Sequence, residues 1–131
     1  MINYKEIKTD SNTPLVDLIS FNNKTVLVTG AAAGMGLAIA KRFGEAGANL
    51  LLIDVNANEL EALRQQLNPE KTQTFVFDLS SKTAIDQFWS NLIDNQLPDI
   101  LINNAGIFPF KDFLEVDEAY LKHVMDTNFQ A

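Results

Sequence analysis

A glycine-rich stretch, "VTGAAAGMGLA" at residues 28–38, lies between an apolar run and a pattern typical of a helix. A glycine inside a helix costs about 1 kcal/mol relative to alanine, so three glycines this close together need a physical reason. A glycine turn at the carboxyl end of a strand lets the backbone approach a ligand where a Cβ would not fit. The helix that follows presents unpaired N–H groups and its positive dipole end to the same place, which favours an anion.

We therefore interpret this stretch as a phosphate-binding turn, in which Thr29 ends the strand and Gly30 makes the turn. Gly34 would open the approach to the ligand, and Gly36 would permit close packing of the helix against the strand. The alternative is a turn whose glycines serve packing alone. The spacing excludes two other phosphate loops: G-x-G-x-x-G needs glycine where Ala32 stands, and a P-loop needs a Gly-Lys-Ser/Thr run that the stretch lacks.

Strand-like and helix-like patterns alternate along the chain from residue 24 onwards. The predicted strands are residues 24–29, 49–53, 72–77 and 99–103. One helix is predicted to begin near Met35, another at the capping-box pair Asn56 and Glu59, and the last near Asp117. A further helix is predicted from the apolar stripe formed by Ile85, Phe88, Trp89, Leu92 and Ile93. This alternation indicates an α/β fold with a doubly wound parallel sheet covered by helices on both faces. Residues 1–23 have no comparable pattern, so we interpret them as a leader before one domain at 24–131.

Charge and composition exclude several classes of function. The formal net charge is −7, so we expect no nucleic-acid partner, because nucleic-acid binders present a basic face. The apolar runs are too short to span a bilayer, so we expect no membrane segment. The sequence has no cysteine and one histidine, which excludes disulfides and thiolate sites and leaves no basis for a metal site. This composition suits a reducing compartment, and we expect a cytoplasmic protein.

The pattern Thr29-Gly30-x-x-x-Gly34-x-Gly36 resembles the glycine loop of the short-chain dehydrogenase/reductase family, and three further motifs follow in the family's order. These are Asp54 after the second strand, Asp78-Leu79 after the third and "NNAG" at 103–106 after the fourth. The resemblance implies a Rossmann-type sheet truncated after its fourth strand and fourth helix. It implies cofactor contacts from Thr29, Gly30, Ala32, Ala33, Gly34, Met35, Gly36, Asp54, Val55, Asp78, Leu79, Asn104, Ala105 and Gly106.

The resemblance also indicates which cofactor to expect. In the family, a carboxylate placed like Asp54 accepts hydrogen bonds from the adenosine ribose and repels a 2′-phosphate. Relatives that prefer NADP carry a basic residue where Ala33 or Val55 stands here, so we expect NAD, with NADP less favoured. The aspartate of the family's Asp-Val/Leu pair contacts the adenine amino group, and "NNAG" lines the adenosine side. The alternatives remain that Asp54 is an ordinary turn residue and that Asp78 or Ser80 simply caps the next helix.

Asn128 resembles the family's active-site asparagine, which lies at a local break in its helix and holds a water linked to the catalytic lysine. It falls on the apolar stripe of the last helix, where an amide needs hydrogen-bond partners. The alternative is a polar residue facing water at the helix end. We expect His123 to face solvent without a catalytic role. Tyr120 does not match the family's Tyr-x-x-x-Lys motif, because position 124 is valine.

The resemblance implies an oxidoreductase that transfers hydride between NAD(H) and a small-molecule secondary alcohol or ketone. Family members with this style of motif include 3-oxoacyl-carrier-protein reductases and polyol or sugar dehydrogenases, and they commonly form homo-oligomers. The family's serine, tyrosine and lysine are expected after residue 131, so we expect residues 1–131 alone to be inactive. The rival hypothesis is a catalytically silent nucleotide-binding or interaction module. A methyltransferase on a similar sheet is disfavoured by the glycine spacing.

Overall fold

The computed structural model describes residues 14–92 and 97–129, and its centre is a four-stranded parallel sheet. The strands are β1 (Thr25–Thr29), β2 (Asn49–Asp54), β3 (Thr72–Val76) and β4 (Ile100–Ile102). Their order in the sheet is β3-β2-β1-β4, so the chain crosses back after β3 to pair β4 with the other side of β1. All carboxyl ends therefore meet at one edge, and doubly wound sheets bind ligands where the strand order reverses, here between β1 and β4.

Helices alternate with these strands as the sequence predicts. Within the described residues they are α1 (Leu15–Leu18), α2 (Gly34–Glu45), α3 (Ala57–Gln66), α4 (Lys82–Asn91) and α5 (Glu118–Asn128), with a 3₁₀ turn at Phe113–Glu115 before α5. The predicted cap of α3 is present, because Asn56 Oδ1 accepts a hydrogen bond from the Glu59 backbone N–H at 3.3 Å. Short polar side chains cap the starts of α4 and α5 in the same way.

The core forms two layers, one on each face of β1 and β2. On one face, Val26, Val28, Leu50 and Leu52 pack against Ala40 of α2 and against Leu60 and Leu63 of α3. On the other face, Leu27, Leu51 and Ile53 pack against Phe88 of α4. Strands with apolar side chains on both faces belong in the middle of a covered parallel sheet. The predicted α/β class, parallel sheet and helices on both faces are confirmed.

The ends of some elements differ from the sequence predictions. Asp99 was predicted to begin the fourth strand, but it lies before β4 and its carboxylate binds β1 instead. Its Oδ1 pairs with Lys24 Nζ and its Oδ2 accepts from the Thr25 N–H, both at 2.8 Å. Ile93, the last member of the predicted apolar stripe on α4, lies outside the described residues. Trp89 of the same stripe stays 39% exposed, because the described chain places little against that side of α4.

The predicted leader falls partly within the described residues. Phe21 packs edge-to-face on Phe43 of α2 with ring centroids 4.9 Å apart, and its N–H donates to the Ala46 carbonyl at 2.8 Å. Residues 1–13 lie outside the described part, so the proposed boundary at residue 24 stays a prediction. None of the described helices is both long and apolar enough to cross a membrane.

Candidate functional site

The glycine-rich turn joins β1 to α2 at the carboxyl edge of the sheet. Gly30 has a φ of 64°, and a Cβ there would lie 2.8 Å from the Cα of Ala105. A Cβ on Gly36 would lie 2.0 Å from the Gly30 carbonyl oxygen, which only glycine avoids. Gly34 also has a positive φ of 55°, but a Cβ there would meet nothing within 4 Å. Packing thus explains Gly30 and Gly36, whereas the space beside Gly34 is open.

The start of α2 is built differently from the starts of the three helices that follow it. Its N-cap residue is Ala33, which has no side-chain acceptor for the first N–H groups of the helix. The N-caps of α3, α4 and α5 are Asn56, Ser81 and Asp117, and each accepts a hydrogen bond from its own helix. The first turn of α2 also carries no acidic side chain. An uncapped helix N-terminus beside open space is suited to an anion.

Thr29 and Asn104 lock this turn to the end of β4. The Thr29 hydroxyl donates to the Ile102 carbonyl at 3.3 Å and accepts from the N–H groups of Asn104 and Ala105, both at 3.0 Å. In return, Asn104 Nδ2 donates to the carbonyls of Thr29 and Gly30 at 3.0 and 3.1 Å. The side chains of Thr29 and Asn104 therefore hold the backbone of the turn. Ala105 and Gly106, which follow Asn104, line the cavity described below.

Asp54, the last residue of β2, fastens the turn from the other side. Its Oδ2 accepts from the Ala32 N–H and its Oδ1 from the Asn56 N–H, each at 3.0 Å. One carboxylate thus orders both the glycine turn and the start of α3. Its neighbour Val55 is exposed, as are Ala33 and Met35 in the turn. The two positions at which NADP-preferring relatives are expected to carry a basic residue are therefore open to solvent.

A cavity of about 250 Å³ extends along the carboxyl edge from this turn. Its lining includes Gly30, Asp54, Val55, Asp78, Leu79, Ala105, Gly106, His123 and Thr127. Most of these residues were predicted as cofactor contacts, and the fold brings them together from four separate segments. The other predicted cofactor contacts belong to the end of β1, the turn, the adjoining helix start and the segment after β4, and they are not among the lining residues: Thr29, Ala32, Ala33, Gly34, Met35, Gly36 and Asn104.

Asp78, in the segment after β3, is one of two acidic residues that line this cavity, the other being Asp54. The backbone N–H of Ser80 donates to Asp78 Oδ1 at 2.8 Å. This bond, with the Ser80 hydroxyl and the positive potential of His123, holds the pKa of the Asp78 carboxyl below its ordinary value. Ser81, rather than Asp78 or Ser80, is the N-cap of α4. Asp78 is therefore an ionised hydrogen-bond acceptor at neutral pH.

Sequence reasoning missed four residues of the cavity. Phe77 and Ile107 adjoin predicted contacts, whereas His123 and Thr127 lie one helical turn apart on α5. His123 is exposed, as expected, yet it also forms part of the cavity wall. Thr127 is buried, and its hydroxyl has no hydrogen-bond partner among the described residues. Their spacing of four residues was the available signal, since residues at i and i+4 share a helix face. Which cavity that face lines depends on the fold.

Asn128 is the last residue of α5, and both ends of its amide bind the backbone of Ile107. Its Oδ1 accepts from the Ile107 N–H, and its Nδ2 donates to the Ile107 carbonyl, both at 2.8 Å. The amide thus has the partners that the sequence required, and it ties α5 to the segment after "NNAG". The apolar stripe on which Asn128 was placed is itself half exposed, because Leu121 and Met125 have no described neighbour that covers them.

The segment after Ile107 carries exposed aromatic side chains on an anchored backbone. The Tyr120 hydroxyl donates to the Pro109 carbonyl, and Lys111 Nζ pairs with Asp117 Oδ2 at 3.3 Å. Phe108 and Phe110, on either side of Pro109, are each 95% exposed. A segment held by a hydrogen bond and an ion pair presents these rings to solvent in a fixed arrangement. Among the described residues, no cluster of acidic or histidine side chains could hold a metal ion.

The family follows from comparison with known proteins. The family model for the short chain dehydrogenases matches residues 24–131. The chain belongs to this family. It is 33% identical over 120 residues to the 2-dehydro-3-deoxy-D-gluconate 5-dehydrogenase of Bacillus subtilis (strain 168), covering 89% of this chain and 46% of that protein. It is 31% identical over 113 residues to an NAD-dependent glycerol dehydrogenase of Listeria innocua, covering 85% of this chain and 44% of the relative.

Solved structures of the family have the same fold. The crystal structure of a short-chain dehydrogenase/reductase described as glucose/ribitol dehydrogenase, from Brucella melitensis, matches with a TM-score of 0.79 and 33% identity, over 85% of this chain and 48% of that one. A metagenomic short-chain oxidoreductase in complex with NADP matches with a TM-score of 0.77 and 27% identity, over 84% of this chain and 52% of that one. The chain spans about half the length of the relatives it matches.

Proposed function

We propose that this chain is the cofactor-binding half of an oxidoreductase that transfers hydride between NAD(H) and a secondary alcohol or ketone. The observation that carries the proposal is the uncapped N-terminus of α2, which opens beside Gly34 at the carboxyl edge of the sheet. Backbone N–H groups at such a helix start bind the pyrophosphate in dinucleotide-binding sheets.

The choice of NAD over NADP rests on Asp54 and its surroundings. Two backbone N–H groups hold its carboxylate at the end of β2, and Asp54 lines the cavity together with Gly30. An ionised carboxylate accepts hydrogen bonds from ribose hydroxyls and repels a 2′-phosphate. Neither Ala33 nor Val55 supplies a cation to offset that repulsion. The family includes both an NAD-dependent relative and an NADP complex, so these side chains are the basis for the preference.

For the substrate, we favour a polyol or sugar derivative over a 3-oxoacyl thioester. The support comes from the relatives, whose names describe a deoxygluconate dehydrogenase and a glycerol dehydrogenase. Bound NAD(H) would supply hydride transfer at its nicotinamide ring. Of the family's catalytic set, this sequence carries the asparagine, Asn128. Its amide fixes the Ile107 backbone against the end of α5, so we assign it a positioning role at the nicotinamide side of the site.

We further propose that residues 1–131 by themselves do not turn over substrate. General acid/base catalysis contributes about 10²–10⁴-fold and needs a proton donor within hydrogen-bond reach of the reacting oxygen. The sequence has a Tyr-x-x-x-Lys spacing at Tyr4 and Lys8, but these precede the first strand and lie outside the described residues. Steady NAD reduction by this chain with glycerol, ribitol or gluconate would contradict the proposal.

The experiment that tests cofactor binding replaces Gly34 with alanine and measures NAD affinity by calorimetry. A methyl group there enters the open space beside the helix start, and loss of one hydrogen bond to a charged ligand, about 1.5–3 kcal/mol, weakens binding about tenfold or more. Gly47→Ala is the control for backbone strain, because Gly47 also has a positive φ, 92°, but lies beyond the opposite end of α2. A Cβ there would also meet the Asn22 side chain at 2.2 Å, so circular dichroism is used to compare the folding of the two variants. Equal NAD affinities in the two variants would leave the glycine turn with a packing role alone.

A further inference from the structure

Met35 carries the most exposed sulfur in the described part of the chain. The sequence has no cysteine and three methionines, of which Met35 and Met125 lie within the described residues. Met35 is 76% exposed, whereas Met125 on α5 is 46% exposed. Met35 is the second residue of α2 and lies between Gly34 and Gly36, so neither chain neighbour has a side chain that covers its thioether. Of the two thioethers, Met35 is therefore the more accessible to an oxidant in solution.

Helix geometry directs the Met35 side chain toward the start of α2. Each Cα–Cβ bond of an α-helix tilts toward the N-terminus, so a side chain in the first turn lies beside the first N–H groups. The N–H groups of Gly34, Met35 and Gly36 have no acceptor among the described residues. The first N–H of α2 to bond within the helix is that of Leu37, which donates to the Ala33 carbonyl at 3.2 Å. The thioether thus belongs to the same place as the free N–H groups.

We propose that Met35 is an oxidation site that regulates cofactor binding at the glycine turn. The inference rests on the proposed function, because it concerns the N–H groups that would hold the pyrophosphate of the dinucleotide. The oxidant is a hydroperoxide, which transfers one oxygen atom to the thioether. The O–O bond of the peroxide breaks, an S–O bond forms, and water or an alcohol leaves, so the sulfur loses the two electrons that the peroxide gains. Methionine sulfoxide reductases reverse the change.

Oxidation supplies the hydrogen-bond acceptor that the start of α2 lacks. A thioether sulfur is a weak acceptor, whereas a sulfoxide is polar and its oxygen carries a partial negative charge. Beside the free N–H groups, this oxygen competes with the pyrophosphate for the same donors and repels its charge. Side-chain oxygens of Asn56, Ser81 and Asp117 already bind the first N–H groups of α3, α4 and α5 in this way. Oxidised Met35 therefore caps α2 from within and disfavours a bound anion.

The test measures the affinity of the full 131-residue chain for NAD and for ADP before and after treatment with hydrogen peroxide. Peptide mass spectrometry locates the added oxygen, and circular dichroism checks the fold. Oxidation of Met35 is expected to weaken both ligands about threefold to tenfold, the effect of about one hydrogen bond, and methionine sulfoxide reductase is expected to restore them. Each variant is compared with its own untreated form: Met35→Leu is expected to lose the response, and Met125→Leu, the matched control, is expected to keep it.

A second pair of variants needs no oxidant, so it decides the matter even where peroxide unfolds the chain. Met35→Gln places an amide oxygen at the start of α2 and is expected to bind NAD more weakly than Met125→Gln. If Met125 is oxidised before Met35, or if both the oxidised chain and Met35→Gln keep their NAD affinity, the regulatory role is wrong and the proposed function stands. A loss for NAD but not for ADP, which carries the pyrophosphate without nicotinamide, would also overturn it. If the untreated chain binds neither ligand, both proposals are wrong.

Discussion

Replacing Thr29 with valine tests how the glycine turn is held. The change keeps the shape of a buried β1 residue but removes a hydroxyl that makes three hydrogen bonds. The N–H groups of Asn104 and Ala105 lose their acceptor, and each unpaired buried group costs about 1–3 kcal/mol. These hydrogen bonds are only partly buried, so we expect Thr29→Val to lower the free energy of unfolding by about 2–4 kcal/mol. That is a large share of the roughly 5–15 kcal/mol typical of a domain.

The chain offers a matched control for this experiment in Thr72. Thr72 is also a buried strand residue, at the start of β3, but its hydroxyl has no hydrogen-bond partner among the described residues. Thr72→Val removes an unpaired polar group, so it is expected to leave stability unchanged or to raise it by up to about 1 kcal/mol. Urea unfolding followed by circular dichroism measures both variants. Equal effects of the two substitutions would refute the reasoning that the Thr29 hydroxyl fastens the turn to β4.

Three further predictions concern packing, acid stability and assembly. Gly36→Ala is expected to lower the midpoint of urea unfolding far more than Gly44→Ala. The Cβ added at position 36 would meet the Gly30 carbonyl oxygen at 2.0 Å, whereas the Cβ added at position 44 would meet the flexible end of Leu67 at 2.9 Å. Similar midpoints for the two variants would contradict this prediction. Hydrogen bonds from the Lys24 side chain and the Thr25 N–H lower the pKa of the Asp99 carboxyl. The ionised carboxylate therefore stabilises the folded state above about pH 4, and this stabilisation is lost as the pH falls further. Asp99→Asn should therefore flatten the fall in stability at acid pH, and an unchanged acid profile would show that the ion pair contributes nothing. Finally, the chain is expected to self-associate, because Leu101 of β4 is 46% exposed and the anchored Phe108 and Phe110 are almost fully exposed; a monomer at high concentration in analytical ultracentrifugation would exclude this.

Local patterns in the sequence predicted much of the fold. The capping pair Asn56 and Glu59 needs only residues three apart, and the apolar runs of β1 and β2 identify strands buried on both faces. The packing of Gly36 against Gly30 is also local, since the two glycines flank a single turn.

The contacts that hold the site together join distant parts of the chain, and the sequence did not reveal them. Asn104 Nδ2 reaches the carbonyl of Gly30 across 74 residues, and Asp54 reaches the Ala32 N–H across 22. These bonds depend on the order of strands in the sheet rather than on spacing. His123 shows the same limit, since it looks like a surface residue on a helix until the fold places α5 beside the segment that follows β3.

Asp54 has a structural role in the turn, and this role affects which substitution can test its part in cofactor choice. Its carboxylate holds the Ala32 and Asn56 N–H groups, so replacing it would loosen the glycine turn as well as alter cofactor preference. A loss of NAD binding in such a variant would have two explanations. Val55→Arg leaves both hydrogen bonds in place and adds a cation at an exposed position, where it can pair with a 2′-phosphate. This single substitution is the cleaner probe of cofactor choice.

The most direct test of the central claim is a calorimetric titration of the full 131-residue chain with NAD and with NADP. We expect one NAD per chain, NADP bound about tenfold or more weakly, and a smaller difference in Val55→Arg, because the carboxylate of Asp54 repels the 2′-phosphate that only NADP carries. No binding of NAD by a folded chain, or tighter binding of NADP by the wild type, would contradict the claim that the turn at residues 29–36 and Asp54 form an NAD site.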